Sequence, residues 1–283
     1  MLGAVLVLSF VKGSQERPLS TDTLQVVATF YPLAFVAERI GGSAVEVTNL
    51  TTGGQEPHEF EPTAHDLISM QNADLLLTLG QVDAWADGVV SERTQAGKPV
   101  VVISQSIAFN NNDPHVWLDP VRMKGIVLAV QQALAEQSPA QASDFQHNAV
   151  TLLADLDLLD ADYRVLTDCS RDDIMVAHDA FGYLADRYGF VSHAVNGLSP
   201  DTEPSARDLA GLTDLAKQLQ VTTIFFESTA SPAIAETLAK EVGAKTDVLA
   251  TLESLTAADL AEQRDYFSLM RQNLRALRSE LCR

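Results

Sequence analysis

Three of the six histidines in this chain stand where an open α/β sheet gathers its ligands. His58 lies in Gly53-Gly54-Gln55-Glu56-Pro57-His58-Glu59-Phe60-Glu61-Pro62, between a β-rich run and a helical segment. His115 lies in Asp113-Pro114-His115-Val116-Trp117-Leu118-Asp119-Pro120, just past the run PVVVIS. His178 follows the run IMVA and precedes a helical segment, in His178-Asp179-Ala180-Phe181-Gly182-Tyr183. Turns at the carboxyl ends of strands are where such sheets bind ligands, so three imidazoles delivered by three turns can converge on one point. Neutral imidazoles at ~2.0–2.1 Å suit Zn²⁺, which takes four ligands in a tetrahedron. Three histidines leave one position for a carboxylate or water. Glu253, in Thr251-Leu252-Glu253-Ser254-Leu255, is the first candidate, with Glu56 and Asp247 as weaker ones. Metal-bound imidazoles donate their other N–H to a carboxylate or carbonyl, and Glu56, Glu61, Asp179 and Glu227 are placed to accept. Imidazole also suits Cu²⁺ and Ni²⁺. Spacing alone leaves a structural hydrogen-bonding role open for each of the three. That bland role is the reading for His65, seven residues after His58 on a helix, for His147 in a long helical stretch, and for His193 in VSHAV.

The elements that must position these loops alternate between strand and helix. Residues 24–30 form a β-rich run, Tyr31-Pro32 ends it, and 33–40 is helical up to Gly41-Gly42. Strand 45–50, helix 63–71, strand 75–79, helix 85–94 and strand 99–104 follow. LLLTLG and VVVI are apolar throughout, as buried parallel strands require. Helix 121–136 precedes residues 142–167, a stretch without Gly or Pro that as one helix would run ~40 Å. Leu152, Leu153, Leu156, Leu158, Leu159, Tyr163 and Leu166 give it a broad apolar face, the pattern of a stiff spine between two lobes. The α/β rhythm then returns: strand 174–177, helix 180–188, helix 205–220, strand 222–226, helix 232–242, strand 246–249 and helix 265–281. The expected fold class is α/β, two lobes each with a mainly parallel sheet flanked by helices. The expected division is 1–22 leader, 23–141 N-terminal lobe, 142–168 linking helix and 169–283 C-terminal lobe.

Length agrees, since 283 residues correspond to about two domains. Lys and Arg number 19 against 38 Asp and Glu, a net charge of −19, which argues against a nucleic-acid partner, since phosphate binding needs clustered cations. Residues 2–11, LGAVLVLSFV, resemble the apolar core of a secretory leader, without a preceding Lys or Arg and without an obvious small-x-small cleavage site. An extracytoplasmic location, periplasm or cell surface, is expected from it. The two cysteines, Cys169 and Cys282, are not in a C-x-x-C pair, which argues against a thiolate zinc cluster. In an exported chain they can form one disulfide closing a loop of more than a hundred residues; two free buried thiols are the alternative.

Several long motifs in order resemble the zinc/manganese solute-binding proteins of bacterial ABC uptake transporters. VVATFYPLAFVAERIGG, GGQEPHEFEPTAHD, DPHVWLDP, AHDAFGYLADRYG, GLSPDTEPSARDL, IFFESTASPAIAETLAKEVGAKT and YFSLMRQNLRAL carry the resemblance, over about residues 24–282. It implies two lobes joined by one long rigid helix, with the metal between them. It maps the family's ligands onto His58, His115 and His178, and a histidine rather than a glutamate at the third position points to zinc. TLESL matches the glutamate of a family stretch at Glu253. The Asn/Asp-Pro that commonly precedes that stretch is Ala250-Thr251 here, which removes an aspartate some members use. The link before Asp113, IAFNNN, also lacks the His-rich loop of many zinc members. Cys169 and Cys282 resemble a disulfide pair of some zinc-type members.

The expected function is therefore capture of Zn²⁺ and its delivery to a membrane ABC permease, by a non-enzymatic and monomeric protein. Manganese, Mn²⁺, is the nearest rival cargo. A metal-stabilised surface adhesin and a zinc hydrolase are readings of other classes. The hydrolase is opposed by the absence of H-E-x-x-H and by Glu253 filling the position where a water would be activated.

Overall fold

A computed structural model describes residues 23–110, 112–195, 197, 206–229 and 232–283. The leader, residues 1–22, lies outside the described residues, as does most of the GLSPDTEPS motif. The elements in chain order are β1 (Leu24–Ala28), α1 (Tyr31–Gly41), β2 (Val45–Asn49), α2 (Ala64–Asn72), β3 (Leu75–Thr78), α3 (Asp87–Gln95), β4 (Val100–Val102), α4 (Pro120–Gln137), α5 (Ala142–Tyr163), β5 (Asp173–Val176), α6 (Gly182–Tyr188), β6 (Val191–Ala194), α7 (Ala206–Gln218), β7 (Thr223–Phe226), α8 (Ala233–Val242), β8 (Lys245–Val248), α9 (Ala257–Ala261) and α10 (Tyr266–Leu281). They build two four-stranded sheets, β2-β1-β3-β4 and β6-β5-β7-β8, parallel throughout. The α/β expectation of two sheet-centred lobes joined by a long helix holds.

Local chemistry sets the ends of these elements. Asp119 caps α4 by accepting from Val121 N–H, and Pro120 begins it with a ready-made φ. Thr63 with Asp66 opens α2, and Asp265 with Ser268 opens α10, each as a reciprocal cap. Gly189 and Gly243 close α6 and α8 in the left-handed conformation that glycine adopts without a Cβ clash.

The joining helix is shorter than the sequence suggests. α5 spans 22 residues, about 33 Å, and the chain tightens into 3₁₀ turns over Arg164–Asp168. Its buried stripe is Phe145, Ala149, Leu152, Leu156, Leu159 and Tyr163, at steps of four and three. Leu158, a member of the expected apolar face, points outward and is 61% exposed. Two strands also differ from expectation. The VVVI run is not a two-sided core strand: β4 is a sheet edge and its three valines are half-buried. β6, the VSHA segment, is a strand that polarity conceals, again at an edge. Cys169 and Cys282 are joined, with Cα atoms 4.4 Å apart, tying the approach to β5 to the end of α10. Among the described residues no helix is long and apolar enough to cross a membrane.

Candidate metal centre

Five chain segments leave the carboxyl ends of strands and meet in one place. The segment after β2 carries His58, that after β4 carries His115, and β5 leads into His178. Glu227 directly follows β7, and Glu253 stands five residues past β8. His58 Nε2 and His115 Nε2 lie 3.4 and 3.3 Å from Glu253 Oε1, and His178 Nε2 lies 3.3 Å from His115 Nε2. His58, His115 and Glu253 each hold a donor atom within 4.8 Å of the other two, and His178 joins them through His115. His115, His178 and Glu253 are buried, while the His58 side chain keeps 14% of its surface at the rim.

Each imidazole is aimed by its own loop. Pro57 starts a short 3₁₀ turn whose N-cap, Glu56, accepts from His58 N–H at 3.2 Å. The Trp85 indole N–H fixes that turn by donating to Pro57 O at 2.9 Å. Asp113 Oδ1 accepts from both the backbone N–H and Nδ1 of His115, at 2.9 and 2.8 Å. Glu227 Oε1 holds Nδ1 of His178 at short range. A carboxylate can only accept, so in neutral His115 and His178 the proton sits on Nδ1 and Nε2 offers a lone pair to the centre.

The Glu253 loop is held by groups from the N-terminal half of the chain. Trp117 Nε1 donates to Thr251 O at 2.8 Å, and Tyr266 donates to Trp117 O at 2.7 Å. Tyr31 N–H reaches Glu253 O at 3.3 Å, and Gly54 N–H reaches Ser254 Oγ at 3.1 Å. Leu252 takes φ +57°, a left-handed conformation costly for a branched residue, and turns Thr251 and Glu253 to different partners. Glu253 is 1% exposed, yet neither of its carboxylate oxygens has an aligned hydrogen bond, nor has His58 Nε2. Buried polar atoms without partners are expensive unless a ligand completes them.

The site's electrostatics point the same way. Burial by itself would lower the His115 imidazolium; the hydrogen bond to Asp113 and then the negative charge of nearby Glu253 outweigh this and raise it to about 9. Burial by itself would raise the Glu253 carboxyl, but His115 and then His58 hold it well below the usual range. Asp179, half-buried, is pushed up by burial and then by Asp113. The metal-free site at neutral pH is thus an imidazolium beside a carboxylate. A raised His115 stabilises the fold fully below its unfolded value of 6.5 and loses that contribution as pH rises through about 9. A lowered Glu253 stabilises the fold above 4.5 and loses it as pH falls. The metal-free melting temperature is accordingly expected to decline between pH 6.5 and 9 in calorimetry, and His115→Ala to lack that decline. A flat wild-type profile would contradict the ion pair.

The fold separates the candidate residues. His58, His115, His178 and Glu253 come together. Glu227 partners His178 as expected, and Glu56 stands at the rim near Glu227 and Glu253. Asp247 accepts from Val248 N–H on β8, and Glu61 is exposed. His65 and His147 are exposed, and His193 pairs with Asp173 at 2.7 Å. Asp113 is a partner of His115 that reading the sequence overlooks. Its signal is the Asp-x-His spacing, which lets one carboxylate reach both the backbone N–H and Nδ1 of the histidine two places on.

A family model described as zinc-uptake complex component A, periplasmic (ZnuA) matches residues 26–280. The chain belongs to this family. It is 34% identical over 294 residues to the high-affinity zinc uptake system protein ZnuA of Bacillus subtilis, covering 96% of this chain and 92% of that protein. It is 33% identical over 293 residues to the zinc-binding protein AdcA of Streptococcus pyogenes serotype M3, covering 93% of this chain. The chain spans 57% of the length of that AdcA. The fold matches the crystal structure of the Zn(II)-bound ZnuA-like domain of Streptococcus pneumoniae AdcA with a TM-score of 0.83 and 35% identity, over 93% of this chain and 100% of that one.

Proposed function

We propose that this protein captures Zn²⁺ between its two sheet-centred lobes, on His58, His115, His178 and Glu253, and delivers it to the permease of an ABC importer outside the cytoplasm. One observation carries the reading. A tetrahedral zinc with arms of ~2.0–2.1 Å has donor-to-donor edges of about 3.3–3.4 Å. Three of the six edges stand at 3.3, 3.3 and 3.4 Å in the protein. The names of the relatives support zinc as cargo, and a donor set of three nitrogens and one oxygen favours it over manganese, which prefers more oxygen.

The cation arrives as substrate and leaves, chemically unchanged, as substrate. Asp113 and Glu227 keep the two buried imidazoles in the metal-ready tautomer. Glu253 supplies the negative charge that offsets part of the ion's own. Because His115 is protonated in the metal-free protein below about pH 9, loading expels that proton, and apparent affinity falls as pH is lowered. Release needs only small shifts of the loops, because α5 and the straps around Thr251 and Ser254 resist wide opening. One chain carries the whole donor set, in keeping with a monomer.

Native mass spectrometry with zinc and manganese in competition tests the reading. One zinc per chain, retained in excess manganese, is the expected spectrum. Preferential manganese, or no bound metal, would overturn it.

A further inference from the structure

A second set of donors borders the imidazoles and shares one member with them. Glu56, Glu227 and Glu253 each bring a carboxylate oxygen to within 4.8 Å of the other two. Glu227 and Glu253 are 2% and 1% exposed, and both Glu253 oxygens lack an aligned hydrogen bond. Glu56 is half-buried on the rim, on the same turn as His58. Three anions this close repel one another, and a cation among them removes the repulsion. Oxygen donors suit a divalent ion that still keeps some of its water, whereas imidazoles suit zinc once it is dehydrated. Glu253 sits in both sets, and Glu227 is also the partner of His178.

We propose that Glu56, Glu227 and Glu253 form an oxygen-lined transfer site leading inward from Glu56 at the rim, where the entering cation exchanges water for carboxylate before moving onto the imidazoles. The proposal rests on the reading that the imidazoles hold zinc. Glu253 stays bound throughout, so the ion is never without a protein ligand between the two positions, and release retraces the same steps. Glu56 is the member that belongs to the transfer site alone.

Glu56→Gln tests this cleanly, because its amide oxygen can still accept from His58 N–H while the charge is gone; Glu56→Asp keeps the charge. Zinc capture from a fluorescent chelator and release to excess EDTA are timed by stopped flow, at about 0.15 M and about 0.5 M salt. The glutamine variant is expected to slow capture and release together by about tenfold, leaving Kd within about threefold, at both salt concentrations. The aspartate variant is expected to lie between it and the wild type. Faster release with a weakened Kd would make Glu56 a ligand of the resting site and overturn the proposal. Unchanged rates, or a capture defect that disappears at high salt, would overturn it too, by reducing Glu56 to a surface charge. A wild type that takes up no zinc would instead remove the reading beneath it.

Discussion

Replacing His115 with alanine is expected to weaken zinc binding by roughly 10²–10³-fold. Four-ligand zinc sites hold the ion with ~10–16 kcal/mol, so one ligand accounts for about 3–4 kcal/mol. His115 is fully buried, touches both Glu253 and His178, and is the contact through which His178 joins the group. Its removal also strands Asp113 and takes from Glu253 the buried imidazole 3.3 Å away, leaving the more exposed His58 at 3.4 Å. Competition against a chelator of known affinity measures the change. His193→Ala is the control, because His193 lies on β6 and pairs with Asp173 on the neighbouring strand. Glu227→Gln, which touches His178 only through Nδ1, is expected to cost less, about 10–100-fold. An alanine variant at His115 that binds as tightly as the wild type would contradict the ligand assignment.

Removing the disulfide is the other large effect. The Cys169–Cys282 bridge joins residues 113 apart in the chain, and chain entropy assigns such a loop about 4–5 kcal/mol. Neighbouring contacts mark the same junction: Arg171 N–H donates to Leu281 O at 3.1 Å, and Ser170 Oγ donates to Arg283 O at 2.6 Å. At about 2–4 °C per kcal/mol for a chain of this size, the Cys169→Ser/Cys282→Ser double variant is expected to melt about 10 °C lower in the metal-free state. Zinc affinity at about 25 °C is expected to be unchanged, because the bridge lies before β5 and after α10, whereas the donors follow the carboxyl ends of the strands. A melting point within about 2 °C of the wild type would contradict a stabilising bridge.

The features legible in the sequence share a physical cause. His58, His115 and His178 are identifiable because each follows a strand-like run and precedes a helical start, and parallel sheets bring such turns to one edge. The long helix is legible from its lack of Gly and Pro, but its end is not, because nothing in 164–168 forbids helix and only the 3₁₀ tightening stops it at Tyr163. The edge strands mislead in opposite directions. Three consecutive valines in β4 read as core although one side of the strand is unpaired, and the polar Ser192 and His193 hide β6. Glu253 is readable as a carboxylate beyond a strand. What aims it is not: the left-handed Leu252, the Trp117 bond to Thr251 and the Ser254 bond to Gly54 are long-range or conformational. Asp113 lies in plain view two residues before His115, and its role emerges only when the ring turns back onto it.

The proposed grip of three imidazoles and one carboxylate on a single zinc ion is tested most directly by a crystal structure of the zinc-loaded protein, with anomalous scattering recorded on both sides of the zinc edge. The expected result is one zinc peak with His58, His115 and His178 Nε2 at ~2.0–2.1 Å and a Glu253 oxygen at about 2.0–2.2 Å. A peak bound by fewer than three of these imidazoles, or seated elsewhere on the protein, would contradict it.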